Sequence, residues 1–170
     1  MKNVPIEALS QFRLFDGVPD DKLGQIAKLV TVEAVKPGVV VIEDGTISDT
    51  IYLLLEGEVE VTKNLVLKVS KQRINEASKV LNFYSAKHRL IFGEIAMLDE
   101  NSRRSATVTA ATPCKLGVIL IEDFLKLTDK DIEIGYHVFK NMAAQLSEQL
   151  KTANEDTLNL TTALSFALQR

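Results

Sequence analysis

Residues 92–108 read FGEIAMLDENSRRSATV, and this stretch decides the fold of the chain. A glycine and an acid follow a hydrophobic residue, a polar loop comes next, and Arg104 opens an apolar run. The pattern predicts a strand that ends, one turn of helix with free backbone N–H groups, and a second strand. Helix N-termini attract anions because these N–H groups lack partners and the dipole end is positive. The stretch therefore predicts an anion site.

Three positions give the predicted site its chemistry. Arg104 supplies a fixed charge and a two-pronged donor for phosphate oxygens. Glu94 only accepts hydrogen bonds when it is ionised, which suits a hydroxyl donor such as that of a ribose. Gly93 lets the backbone turn close to a ligand. Together these residues predict a phosphate site with a sugar contact beside it.

The same stretch resembles the phosphate-binding cassette of the cyclic-nucleotide-binding domain family. Family cassettes read approximately Phe-Gly-Glu-hydrophobe-Ala, then a variable loop, then Arg-(Ala/Ser/Thr)-Ala-(Ser/Thr)-Val. Residues 92–96 and 104–108 match the two halves in order, and the resemblance is closest to the bacterial catabolite-activator branch. It implies a cyclic nucleotide ligand and no further cofactor. The binding residues that it implies are Gly93, Glu94, Ile95, Ala96, Arg104 and Ser105.

The resemblance also implies which group each residue contacts. Arg104 and Ser105 would bind the cyclic phosphate together with the first N–H groups of the short helix, and Glu94 would accept from the ribose 2′-hydroxyl. Ser105 favours cAMP, with cGMP as the alternative. The base should meet the C-terminal helix, where Gln149 and Thr152 are the nearest polar residues, unless both belong to a solvated helix face. An ion pair between Glu94 and Arg104 is the structural alternative for the site.

The rest of the chain predicts a β-roll around this cassette. Residues 39–42 read as a short buried strand, residues 51–55 as another, and the strict alternation in 58–62 indicates a half-exposed antiparallel strand. Helical spacing precedes them in residues 6–30. Short strands with helices confined to the ends predict a mainly β fold, namely an antiparallel β-roll of jelly-roll type with N-terminal helices and a long C-terminal helix.

Two segments depart from the family pattern. Residues 71–90 replace a short hairpin and a Pro-Gly-Asp turn, and they end in His88-Arg89-Leu90. Apolar residues three or four apart within 74–84 permit a helical insertion that would form a lid or partner surface, but a surface loop with an apolar anchor is the favoured prediction. Ser48 stands where the family usually has glycine, which predicts a reshaped turn.

The C-terminal part predicts a second unit. The β-roll with its N-terminal helices should span residues 1–130, and a long helix should span 131–170. The first part of that helix is expected to pack on the roll through Ile134, Tyr136 and Val138. The second part predicts a parallel two-helix dimer seam with three-four spacing. The seam residues are Phe139, Ala143, Leu146, Leu150, Ala153, Leu160, Leu164 and Ala167.

Composition and missing motifs narrow the function. The net charge of −3 without a basic run argues against nucleic acid, and no apolar run approaches the length of a membrane span. The single Cys114 indicates a buried thiol and a reducing cytoplasm. Neither His88 nor His137 belongs to a metal motif, and no catalytic set occurs, so an enzyme is not expected.

These observations predict a cytoplasmic cyclic-nucleotide sensor or regulatory module that acts through a partner protein. It would form a homodimer through the C-terminal helix. The regulators of the activator branch continue into a helix-turn-helix domain after this helix, whereas the sequence ends at Arg170, so no DNA binding is carried over. The alternative is a degenerate β-roll that binds no nucleotide and serves as a dimeric interaction module. A β-roll enzyme is the weaker rival, because neither metal nor catalytic residues are encoded.

Overall fold

The computed structural model of the protein describes residues 4–70, 73–98 and 103–168. These residues contain eight antiparallel strands in two four-stranded sheets, which confirms the predicted β-roll. The first sheet holds, in spatial order, β1 (Thr31–Val35), β8 (Cys114–Leu120), β3 (Thr50–Glu56) and β6 (Ile91–Phe92). The second holds β2 (Val40–Ile42), β7 (Thr107–Ala110), β4 (Glu58–Ser70) and β5 (Arg73–Ser85).

Helices lie at both ends of the chain, as predicted. The N-terminal group comprises α1 (Ile6–Leu9), a 3₁₀ turn (Arg13–Phe15) and α2 (Asp20–Ala27), and the C-terminal group comprises α3 (Ile121–Lys130) and α4 (Ile132–Leu168). The sequence pattern missed α3. Asp131 separates α3 from α4, and its Oδ1 accepts hydrogen bonds from the N–H groups of Glu133 (3.2 Å) and Ile134 (3.3 Å). None of the described helices is long and apolar enough to cross a bilayer.

Strand β3, in the middle of the first sheet, is buried on both faces, whereas β1 at the edge of that sheet is largely exposed. On β3, Ile51 and Leu53 pack against the helices, whereas Leu54 packs between the two sheets. This double burial explains why the strand reads as an unbroken apolar run rather than an alternating one. By contrast, β2 lies at the edge of its sheet, so Val39 and Val40 are exposed and only Ile42 is buried, which corrects the prediction that residues 39–42 are buried throughout.

The beginning of α4 packs on the helical core, as predicted, through Ile134 and Val138. The prediction for Tyr136 was wrong, because its side chain is 59% exposed. Residues four apart share a helix face, whereas a residue two positions away points about 200° away from it. Every residue from Ser147 to Leu168 is exposed, so the second half of α4 extends beyond the roll.

Residues 73–85 form neither the helix nor the loop predicted for the 71–90 segment, because they pair with β4 as the long strand β5. The pairing of β4 with β7 ends at Thr62, so the hairpin continues past the roll as a two-stranded ribbon. Val61 pairs with Asn82 and Thr62 with Val80, which leaves residue 81 as a bulge. A bulge shifts the two-residue alternation of a strand, so strict alternation is not expected across residue 81.

The turn before the cassette keeps a glycine-like conformation without a glycine. Arg89 has φ +49° and is the single non-glycine residue with positive φ among those described. It follows the short 3₁₀ helix Ala86–His88 and occupies the middle position of the segment that replaces Pro-Gly-Asp. Left-handed backbone costs a residue with a side chain about 1–2 kcal/mol. The fold therefore retains this turn at a cost in stability.

We predict that Arg89→Gly stabilises the domain by about 0.5–1 kcal/mol, because relief of the left-handed strain outweighs the entropy that glycine loses on folding. Urea denaturation followed by circular dichroism would measure the change. Lys87→Gly is the matched control: this exposed neighbour has ordinary φ, so its replacement should destabilise the domain by about 0.5–1 kcal/mol. Equal effects of the two variants would contradict the prediction.

Candidate functional site

A cavity of about 280 Å³ opens beside the cassette, between the two sheets and α4. We call it the cassette cavity. It is lined by Ile42, Val61, Tyr84, Leu90, Ile91, Phe92, Gly93, Glu94, Ile95, Ala96, Arg103, Arg104, Ser105, Ala106, Val108 and Gln149. All six binding residues predicted from the cassette are among them. The size lies near the lower end of the range for ligand pockets, about 300–1,000 Å³.

The backbone at Gly93 shapes one wall of the cavity. Gly93 has φ +85° and precedes a 3₁₀ helix, Glu94–Met97. A Cβ at this position would overlap Arg104 Nη1 and would lie 2.9 Å from the carbonyl oxygen of Thr50. Glycine is therefore required twice, for conformation and for space. Ile95 and Ala96 lie in the first turn of the helix, where N–H groups have no partner within the helix.

The guanidinium of Arg104 is buried at the wall of the cavity, with the residue only 5% exposed. Nη1 donates to the carbonyl oxygen of Gly93 at 2.8 Å and Nη2 to that of Thr50 at 2.5 Å. Nε is buried and has no hydrogen-bond partner among the described residues. Burial lowers the pKa of Arg104, although the nearby charge of Glu94 acts in the opposite direction. One edge of a buried cation thus lacks an acceptor, which costs free energy unless an anion binds there.

Glu94 lies in the same cavity but does not pair with Arg104. No salt bridge within 4.0 Å joins the two in the described part of the chain, so the predicted ion-pair alternative does not fit the geometry. Burial raises the pKa of Glu94, and a hydrogen bond from its own backbone N–H and the charge of Arg104 oppose that shift less strongly. The carboxylate of Glu94 is half-buried and free of a salt bridge in the described part of the chain, so it can accept a further hydrogen bond from a ligand hydroxyl.

Two further residues predicted from the sequence differ in position. Gln149 of α4 lines the cavity, whereas Thr152, one turn further along, is exposed and does not. Arg103, the neighbour of Arg104, is exposed; its Nη1 donates to the carbonyl oxygen of Gly45 at 2.7 Å, and it also lines the cavity. Among the described residues, no cluster of three His, Cys, Asp or Glu side chains suits a metal ion.

Sequence reasoning missed the apolar walls of the cavity. Tyr84 and Leu90 reach it from the segment that was predicted to be a loop, and Ile42, Val61 and Val108 reach it from the second sheet. Their alternation with polar neighbours marks them as inward-facing, but it does not show which inward residues meet at the cassette. That depends on strand register, including the bulge in β5.

We predict that Gly93→Ala destabilises the domain by about 2–5 kcal/mol, the sum of left-handed strain and overpacking against Arg104 and Thr50. Gly38→Ala is the matched control, because Gly38 has nearly the same φ, +81°, but open space around it. It should cost only about 1–2 kcal/mol. Thermal unfolding by calorimetry would compare them, and an equal loss in both would refute the close approach of Arg104 to Gly93.

Comparison with known proteins identifies the family. The sequence profile described as "Cyclic nucleotide-binding domain" matches residues 32–131, more than half of the chain. A cAMP-dependent protein kinase regulatory subunit of Yarrowia lipolytica is 33% identical over 103 residues, which are 61% of this chain and 24% of that protein. The cAMP-activated global transcriptional regulator CRP of Pasteurella multocida is 25% identical over 119 residues, 70% of this chain and 50% of that protein.

The fold comparison agrees with the sequence comparison. The crystal structure of the catabolite activator protein of Thermus thermophilus superposes with a TM-score of 0.72 at 21% identity, covering 88% of this chain and 63% of that one. The chain spans half or less of the length of the curated relatives that it matches. The matched profile, the β-roll and the cassette geometry together show that this chain belongs to the cyclic nucleotide-binding domain family.

Proposed function

We propose that the cassette cavity binds a cyclic nucleotide monophosphate, with cAMP as the preferred ligand and cGMP as the alternative. The observation that carries this proposal is the buried guanidinium of Arg104, whose Nε has no acceptor among the described residues and lies on the wall of a cavity of about 280 Å³. A phosphate oxygen at Nε supplies both the missing acceptor and the missing counter-charge. The structural role of an ion pair with Glu94 is not available to explain this burial.

The proposal assigns a separate role to each of several lining residues. Arg104, the hydroxyl of Ser105 and the N–H groups of Ile95 and Ala96 bind the phosphate. The carboxylate of Glu94 accepts from the ribose 2′-hydroxyl, which selects ribonucleotides over deoxy analogues. Of the two α4 residues considered for the base, we assign the contact to Gln149, because it lines the cavity and Thr152 does not. Since a glutamine amide both donates and accepts, Gln149 suits either purine, and the preference for cAMP is supported instead by Ser105 and by the names of the two curated relatives.

The proposed output is a change in α4 that a partner protein detects. The ligand would contact the cassette on one side and Gln149 on the other, so it can bias the position of α4 by its differential affinity for two arrangements. The exposed half of α4 carries Leu150, Leu160 and Leu164, each at least 60% exposed. A helix with such a stripe and no covering element is suited to pair with a second copy of itself.

The ligand-free alternative makes a different prediction about stability. A degenerate β-roll that serves only as an interaction module would keep this fold without a response to nucleotide. A ligand that binds the native state alone must raise the melting temperature, by RT ln(1 + [L]/Kd) in free energy. Titration with cAMP and cGMP, monitored by thermal shift, therefore separates the two functions.

We predict that Arg104→Ala weakens binding of cAMP by about 2–5 kcal/mol, the usual cost of removing one partner of a buried, hydrogen-bonded charge pair. Isothermal titration calorimetry with cAMP measures it. Arg103→Ala is the control, because the same side-chain type at the same cavity is exposed there and should contribute less than about 1 kcal/mol. Equal affinity of wild type and Arg104→Ala would overturn the assignment.

We also predict that the domain dimerises through α4. Leu164→Glu should shift the protein to monomer in sedimentation velocity, since burying a leucine contributes about 1.5–3 kcal/mol and the seam contains it twice. Asn159→Glu adds the same charge on the opposite side of the exposed helix and should leave the dimer intact. A wild-type protein that sediments as a monomer at micromolar concentration would contradict this arrangement.

A further inference from the structure

A pair of hydroxyl groups lies behind the guanidinium of Arg104. Ser48 Oγ and Thr50 Oγ1 are 2.9 Å apart, and both residues are half-buried. Ser48 does not adopt the positive φ of a glycine. Its side chain is therefore what distinguishes this turn, and it faces inward rather than into solvent. Two oxygen atoms of Thr50 lie near the guanidinium. Arg104 Nη2 is 2.5 Å from the carbonyl oxygen of Thr50 and 3.5 Å from its hydroxyl oxygen.

The guanidinium has five N–H groups, and their allocation defines its orientation. One on Nη1 is used by Gly93 and one on Nη2 by Thr50, which directs the remaining groups, including Nε–H, elsewhere. The bond to Ser48 limits the rotation of the Thr50 hydroxyl. The hydroxyl oxygen of Thr50 is therefore oriented toward Arg104 as long as its hydrogen bond to Ser48 is intact.

Arg104 also has a second cavity available. A space of about 300 Å³ shares Ile42 and Arg104 with the cassette cavity, and its other lining residues are Val40, Val41, Glu43, Thr46 and Ser48. It contains a carboxylate and hydroxyl oxygens, all of which accept hydrogen bonds from a guanidinium. A guanidinium that turned toward this space would no longer offer Nε–H to the cassette cavity.

We propose that Ser48 is a positioning residue, which acts through the hydroxyl of Thr50 to keep the guanidinium of Arg104 directed at the cassette cavity and away from the second one. This inference rests on the proposed binding of a cyclic phosphate for its effect on affinity, but not for its effect on Arg104. It assigns a role to the position at which the chain departs from the usual glycine. Ser48 itself does not contact the ligand.

The experiment has one arm without ligand and one with ligand. In the ligand-free protein with ¹⁵N-labelled arginine, NMR observes the Nε–Hε signal of Arg104, assigned by its loss in Arg104→Lys. Ser48→Ala and Thr50→Val should shift this signal and speed its exchange with water. Thr50→Ser keeps the hydroxyl and should restore it. Ser10→Ala is the control, because the Ser10 hydroxyl donates to the carbonyl oxygen of Glu7 and Ser10 lines neither of the two cavities.

In the second arm, calorimetry measures affinity for cAMP and for its Rp and Sp phosphorothioates, which differ only in the exocyclic oxygen that sulfur replaces. Ser48→Ala should weaken cAMP binding about three- to tenfold, the effect of one hydrogen bond, and should reduce the ratio between the two diastereomers. A general loss of stability would leave that ratio unchanged.

If the wild type binds none of these nucleotides but the Nε–Hε signal still responds to Ser48→Ala, the proposed function fails and the positioning role stands. An Arg104 signal and a diastereomer ratio that are both unchanged in Ser48→Ala and Thr50→Val would overturn it.

Discussion

The burial of one guanidinium governs how this domain is built. Arg104 is removed from water, which lowers its pKa, and no described acid forms a salt bridge with it. A buried charge costs several kcal/mol unless hydrogen bonds and a counter-charge compensate. The carbonyl oxygens of Gly93 and Thr50 compensate in part. They leave the Nε–H group without an acceptor among the described residues, and an anion bound there would supply one.

The need to compensate the buried charge of Arg104 explains why the turn after β2 and strand β3 meet at the cassette. The N–H of Arg104 donates to the carbonyl oxygen of Thr46 at 2.8 Å, and the N–H of Gly45 donates to the carbonyl oxygen of Arg104 at 2.8 Å. The turn after β2 is thus attached to the cassette at the backbone, while β3 accepts the side chain through Thr50. Gly93 completes the arrangement because any larger residue would occupy the space of the guanidinium. The wall of the cavity around Arg104 therefore consists of backbone groups and one buried charged side chain.

How much of the site the sequence could predict depends on how close its residues lie along the chain. The cassette was predictable because its chemistry is local: a glycine, an acid and an arginine at short spacing. The fold class followed from short strands and end-placed helices, as the sheets confirm. Tyr84 and Leu90 were not predictable as cavity residues, since their positions depend on the pairing of β5 and its bulge. Arg89 shows a different limit, because a left-handed backbone is not expected from sequence at a residue that carries a long side chain.

The long helix α4 has one face that packs in the core and reaches the cavity, and another that is exposed. One face, with Ile134, Val138 and Met142, is fixed in the core, and Gln149 follows it to the cavity. Leu150, the first of the exposed leucines, follows one residue later, about 100° around the helix axis. In the proposed mechanism, a ligand that moves the backbone of α4 at Gln149 also moves the exposed leucines, since both belong to one continuous helix. The part of α4 that would sense the base and the part that would meet a partner are adjacent. The proposed coupling between the two therefore spans no more than one turn of helix.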